Sequence, residues 1–189
     1  MKILGIDQSL RKCAFVYFND VPVDWYVSKT GASTVKIKRK DTTYYDTLED
    51  QIHHVCLDLR KHVQAFKPDV ICFEALSYGS AGNATRNLAC LFGAMNETLI
   101  NGQYGGTIIT FTPTTVKAYA RDFLPEERKF SGCTKSGNPK KVTMDKKMMV
   151  EAVRNLYGEE YLSEYNYSSG LDDLTDATFL ALKANQTLS

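Results

Sequence analysis

No apolar run in this sequence approaches the roughly 20 residues needed to cross a bilayer, so a membrane-spanning helix is not expected. There is no Cys-x-x-Cys pair. Cys13, Cys56, Cys72, Cys90 and Cys133 follow no regular spacing, and most lie in apolar stretches, which points to small core residues in a reducing compartment. Histidine is scarce. His53, His54 and His62 fall on one predicted helix, without metal-ligand spacing to the cysteines, which argues against a zinc site. Charge of one sign is also missing: the net charge is +1, so any acidic partner must be met by a local basic patch. There is no internal repeat and no signal-peptide pattern, since Met1-Lys2-Ile3-Leu4-Gly5 starts directly in a predicted strand. A cytoplasmic protein is the expectation. What is present is ordinary: 189 residues, 43% of them hydrophobic, suit a single domain (1–189) with a sizeable core.

Periodicity places the elements. Residues 2–7, 13–19 and 22–29 read as three strands, the last two joined by a tight Asn19-Asp20-Val21-Pro22 turn, which suggests an antiparallel meander. Residues 30–43 are polar and basic and read as a loop. Leu48, Ile52, Val55, Cys56, Leu59, Val63 and Phe66 follow helical spacing, predicting a helix over 44–66 that stops before Pro68. A strand at 70–74, a helix over 82–101 with Leu88, Leu91, Phe92, Met95 and Leu99 inward, and a strand at 107–111 follow. Thr112-Pro113 opens a short helix to about 123. Residues 125–142 hold Pro125, Gly132, Gly137 and Pro139 among several lysines and read as a long, flexible basic loop. Helices over 143–157 and 172–184 complete the chain. A meander followed by α/β units is the order of the ribonuclease H-like fold, an α/β architecture with a five-stranded mixed sheet flanked by helices.

Four carboxylates stand out in that order. Asp7 ends the apolar run Ile3-Leu4-Gly5-Ile6, and Glu74 ends Val70-Ile71-Cys72-Phe73. An acid at the polar end of a buried strand is costly unless its charge is compensated. Asp173 and Asp176 lie three apart and share a helix face. The fold would bring the ends of the first and fourth strands together. Two strand-end acids and two helix acids then suit Mg²⁺ or Mn²⁺, hard cations that take oxygen ligands and assist phosphodiester hydrolysis in pairs. Asp172 leaves the register open, because it lies four residues before Asp176 and offers the same ligand chemistry. The bland alternative for Asp173 is a first-turn acid favoured at a helix N-terminus.

The segments Ile3-Leu4-Gly5-Ile6-Asp7, Phe66-Lys67-Pro68-Asp69 with Val70 to Glu74, and Asp173-Leu174-Thr175-Asp176-Ala177 resemble those of the RuvC-type Holliday-junction resolvases. Thr114-Thr115-Val116-Lys117 and Thr143-Met144-Asp145-Lys146-Lys147 resemble that family's two lysine-bearing segments. The resemblance implies a homodimeric, Mg²⁺-dependent endonuclease that resolves four-way DNA junctions by paired cuts, leaving 5′-phosphate and 3′-hydroxyl ends. It implies Asp7, Glu74, Asp173 and Asp176 as metal ligands, and Lys117 and Lys146 as catalytic phosphate contacts. Lys140, Lys141 and Lys147 are expected to meet DNA, as is Arg86 near the start of the second helix, whose apolar face is also a candidate dimer surface. The sequence departs from the family where Gln8-Ser9 replaces the usual Pro-Gly after the first acid. Where an aromatic residue often follows the catalytic glutamate to stack on a junction base, Ser77 stands and Tyr78 follows, making Tyr78 a shifted candidate. These departures would suit a bacteriophage member with looser substrate choice, working in the host cytoplasm. The same acids would equally serve a flap or RNA–DNA hybrid nuclease. An actin-like ATP-using module needs a second glycine-rich phosphate loop that the sequence lacks.

Overall fold

The computed structural model describes residues 1–76, 82–133 and 135–189. Its centre is a six-stranded mixed sheet. The strands are β1 (Lys2–Asp7), β2 (Lys12–Asn19), β3 (Val21–Ala32), β4 (Thr43–Tyr45), β5 (Val70–Glu74) and β6 (Thr107–Phe111), in the order β4-β3-β2-β1-β5-β6. The β1-β2 and β2-β3 pairs are antiparallel, as the meander requires, and β1-β5 and β5-β6 are parallel. Asp20 turns the β2-β3 hairpin with a left-handed φ of 63°, a conformation that aspartate tolerates better than most residues.

The sheet has one strand more than the five expected. The addition is β4, three residues on the edge that pair in parallel with the end of β3. So short a segment carries no periodicity of its own, and the pairing arises because β3 runs on to Ala32 instead of stopping near 29.

Among the described residues, five α-helices cover the sheet. The first two, α1 (Leu48–Phe66) and α2 (Asn83–Asn101), pack on one face. The other three, α3 (Pro113–Ala120), α4 (Lys146–Tyr157) and α5 (Leu171–Leu188), pack on the other. Side-chain caps fix three starts. Thr47 accepts from Asp50 N, Thr112 from Thr115 N, and Asp145 from Met148 N. Each cap satisfies an otherwise unpaired helical N–H, and the caps explain why α1 and α4 begin a few residues later than periodicity alone predicts. The inward face of α2 packs against β-strand residues and α1, through Leu91, Met95 and Leu99.

Strand parity divides the core. Leu4, Ile6, Ile71 and Phe73 face α1 and α2, while Ile3, Val70 and Cys72 face the α3-α4-α5 side. Because alternate residues point to opposite faces, Asp7 and Glu74 at the ends of β1 and β5 fall on the α5 side. Gly5 lets α5 approach: a Cβ there would lie 2.2 Å from the Ala177 carbonyl oxygen and 2.9 Å from the Ala181 methyl.

The stretch 125–142, expected to be a loop throughout, contains structure. A 3₁₀ turn at Glu126–Arg128 leads into an antiparallel ribbon, β7 (Phe130–Cys133) with β8 (Pro139–Lys141). Val142 N donates to Lys129 O and Arg121 Nε donates to Val142 O, which ties the base of the ribbon to the body of the protein. Cys13, Cys56 and Cys72 are buried, whereas Cys90 and Cys133 are exposed. Among the described residues no helix is long and apolar enough to cross a membrane.

Candidate functional site

The β1-β5 ladder sets the site. Its last backbone pair is Ile6 with Phe73, so Asp7 and Glu74 are the next residues on adjacent parallel strands. Gln8 carries the ladder one step further. Its carboxamide donates to Glu74 O and accepts from Glu74 N at 3.2 Å. A side-chain amide thereby stands in for a peptide group and holds the Glu74 backbone beside β1. Gln8 is 5% exposed, so this pairing is sheltered from competing water.

The first turns of α5 supply the remaining acids. Gly170, at φ 116°, precedes the helix in a left-handed conformation that favours glycine. Asp172, Asp173 and Asp176 follow within two turns.

The charges interact strongly. Burial, followed by the charges of Asp176, Glu74, Asp173 and Asp172, pushes the Asp7 carboxyl well above its usual range. Burial and the Glu74 charge push Asp176 up to about 7, with Lys117 opposing. Burial raises Glu74, and Lys117 again opposes. Lys117 lines a small cavity of about 100 Å³ together with Glu74, Val116 and Asp176. A second cavity of about 170 Å³ is lined by Asp7, Gln8, Glu74 and Thr85.

Two lysines separate Asp172 from Asp173. Asp172 is hydrogen-bonded to Lys146 Nζ and lies 3.6 Å from Lys12 Nζ. Burial works against its charge, but Lys146 and Lys12 outweigh burial and hold the carboxyl below its usual range. Asp173 Oδ2 lies 2.9 Å from Lys12 Nζ. For this carboxyl, burial and the Asp172 charge prevail over Lys12, and its pKa is raised.

The donor set is all hard oxygen and crowds like charges that the nearby lysines only partly offset, which fits Mg²⁺ or Mn²⁺. Among the described residues, no three His, Cys, Asp or Glu side chains are gathered closely enough to form a coordination shell as they stand. The acids therefore converge through their fields, without forming a closed cage. Like charges raise one another's pKa in this way until a cation compensates them.

Of the residues expected from sequence, Asp7, Glu74, Asp173, Asp176, Lys117 and Lys146 share this end of the sheet. Lys140 and Lys141 lie on exposed β8, Lys147 is exposed in the first turn of α4, and Arg86 is exposed in the first turn of α2. Among the described residues, the ion pairs of the α5 acids are made by Lys12 and Lys146 and by none of these four. Tyr78 lies outside the described residues. Sequence reasoning missed Lys12 and Gln8. Parity could have flagged Lys12, because Cys13, Phe15 and Tyr17 face α1 and α2, which turns Lys12 toward α5. A polar residue directly after the strand-end acid was the available signal for Gln8.

No family model matches the chain, and no curated protein matches it in sequence. Solved structures do match in shape. Thermus thermophilus RuvC in complex with a Holliday junction substrate superposes with a TM-score of 0.65 at 14% identity, over 98% of this chain and 96% of that one. The yeast mitochondrial Holliday junction resolvase Ydc2 gives 0.59 at 15% identity, over 95% of this chain and 75% of that one. The fowlpox virus Holliday junction resolvase gives 0.52 at 14% identity, over 99% of both chains. At such low identity the likeness speaks for the fold alone. With its meander, its paired strand-end acids and its acid-bearing last helix, this chain has the ribonuclease H-like fold of the RuvC-type resolvases.

Proposed function

We propose that the protein is a divalent-metal-dependent endonuclease that resolves four-way DNA junctions, acting as a homodimer and leaving 5′-phosphate and 3′-hydroxyl ends. The observation that carries this reading is the mutual charge of Asp7, Glu74, Asp173 and Asp176 at one end of the sheet. The neighbours in shape support the substrate class, since one is bound to a Holliday junction and two are junction resolvases. Twofold symmetry in a dimer would match twofold symmetry in a junction.

Asp7, Glu74, Asp173 and Asp176 would hold Mg²⁺, with Mn²⁺ able to replace it. When bound, the metal supplies Lewis-acid polarisation of the phosphate and a water of lowered pKa. The protein's own groups do the rest. Gln8 fixes Glu74 beside Asp7. Lys117, at the cavity it shares with Glu74 and Asp176, offers a cation to a phosphate oxygen. Lys146 and Lys12 hold Asp172 in its charged form, whereas Asp173 keeps a raised pKa with Lys12 at 2.9 Å, which makes Asp173 the acid of the pair with more to gain from a bound cation.

The test is cleavage of a synthetic four-way junction with and without Mg²⁺, by wild type and by Asp7→Asn. Wild type should cut only with metal. Outer-shell partners of a metal are worth about 10–100-fold, so loss of a ligand should cost more than about 100-fold. An asparagine variant that cuts as well as wild type would sink the assignment. Competition against a flap, an RNA–DNA hybrid and a linear duplex would then rank the substrates.

A further inference from the structure

Beside the acid cluster lies a feature that the nuclease reading leaves unused. A cavity of about 370 Å³ opens between the 33–44 stretch and residues 167–168, within the size range of small-ligand pockets. Its lining carries Arg11, Lys12, Lys29 and Arg39 and, among the described residues, no acid. In a chain of net charge +1, this is a local concentration of positive charge.

The cavity is built, not incidental. Arg39 Nη1 donates to Ser168 O at 2.8 Å, and Arg39 N donates to the Tyr44 hydroxyl at 2.6 Å. The first bond straps the basic stretch to the loop that precedes α5, and the second ties Arg39 to β4 within the stretch itself. Lys12 Nζ donates to Tyr167 O at 2.9 Å while pairing with Asp173 at 2.9 Å. Lys12 is thus the wall between the basic cavity and the acids. Asp41, outside the lining, pairs with Lys29 at 2.6 Å, and Lys12 is held by Asp172 and Asp173, which leaves Arg11 and Arg39 as the cations of the lining that no ion pair to an acid engages among the described residues.

Aromatic and apolar surface accompanies the charge. Tyr44 and Tyr167 line the cavity. Ile37, also in the lining, is 85% exposed. Cations interleaved with rings and apolar side chains suit a single nucleic-acid strand, whose phosphates need charge and whose bases need a flat partner. A duplex arm, with its bases stacked inside, would use the charge and leave the rings idle.

We propose that this cavity binds an unpaired stretch of the DNA strand next to the scissile phosphate, with backbone phosphate on Arg11 and Arg39 and a base against Tyr167. The proposal rests on the nuclease reading for the identity of the strand. It adds a preference for branches that expose unpaired nucleotides.

The test is fluorescence anisotropy with Ca²⁺ in place of Mg²⁺. The probes are a labelled oligothymidylate of about ten nucleotides, a length within the footprint of such sites, a blunt duplex of similar length, and a four-way junction. Arg11→Ala with Arg39→Ala should weaken oligothymidylate binding by about tenfold or more, and should lower the slope of log affinity against log salt by about 0.7 per lost phosphate contact. Tyr167→Ala should weaken the same probe by about fivefold or more, with Tyr167→Phe restoring it, because stacking needs the ring and not the hydroxyl. Melting curves establish that each variant is folded, and Arg11→Ala alone, at an exposed side chain, keeps the test open if Arg39→Ala loosens the strap. Wild type that binds oligothymidylate as tightly as its variants do overturns the proposal. So does a wild type that prefers the duplex probe, which would make the cavity a seat for a junction arm. Oligothymidylate binding without binding or cleavage of the junction would instead overturn the nuclease reading and leave the strand site standing.

Discussion

Asp172 and Asp173 stand side by side at the start of α5, yet Lys146 and Lys12 give them different roles. Asp172 is met by both ammonium groups and its charge is held. Asp173 is met by one, and its pKa remains raised. Sequence could not decide between them, because the deciding cations lie about 160 and 27 positions away from Asp173 along the chain. Gln8 is a second residue whose role is visible only in three dimensions. Gln8→Ala would leave the N–H and C=O of Glu74 short of buried partners, at a cost of about 1–3 kcal/mol. The same change should raise the Mg²⁺ concentration needed for half-maximal junction cleavage, whereas a merely structural role would lower the melting temperature and leave that metal requirement in place. Gln8→Glu should be worse than Gln8→Ala, because it adds a like charge to the acid cluster.

Elements with their own periodicity were legible: β1, β5, α1 and α2 emerge close to where their apolar patterns put them, and the strand-end acids emerge with them. Two kinds of element were not. Three-residue β4 forms because β3 offers it an edge, and the β7-β8 ribbon forms within a segment rich in Gly and Pro whose composition resembles a loop. Both depend on pairing partners and not on local pattern. The contact between α5 and β1 is the element-scale feature with the sharpest consequence. Gly5→Ala would drive a methyl group into the Ala177 carbonyl oxygen. The overpacking should cost about 1–3 kcal/mol in urea denaturation. It should also lower junction cleavage beyond what stability explains, because it moves α5, and with it Asp173 and Asp176, away from Asp7. A variant with a lowered urea midpoint and unchanged cleavage would show that the spacing of α5 is not critical.

For the whole molecule, the acid cluster sets a pH dependence of stability. The folded-state pKa of Asp176 is raised from 3.8 to about 7, and that of Asp7 is raised as well. Between those values the folded state binds more protons than the unfolded state, so stability falls as pH rises through the window from about 4 to about 7. Asp172 runs the other way, since its lowered pKa contributes stability that is lost only in acid. Thermal melts without metal should therefore show a melting temperature that declines across this window. Asp176→Asn should flatten the decline and raise the melting temperature at neutral pH. Mg²⁺ at about 100 times its dissociation constant should restore about 2.7 kcal/mol to the wild type, and much less to Asp176→Asn. A flat profile in metal-free wild type would contradict the mutual charging of the site. The docking of α5 at Gly5 also has a meaning in time. This helix comes last among the described elements and brings two of the four acids, so a chain in which it has not yet settled holds Asp7 and Glu74 but no pocket. Assembly of the site is then a property of the finished fold: a partly folded molecule, or one that opens transiently at α5, loses both helix acids together, and under the proposed function would leave DNA uncut until the helix returns.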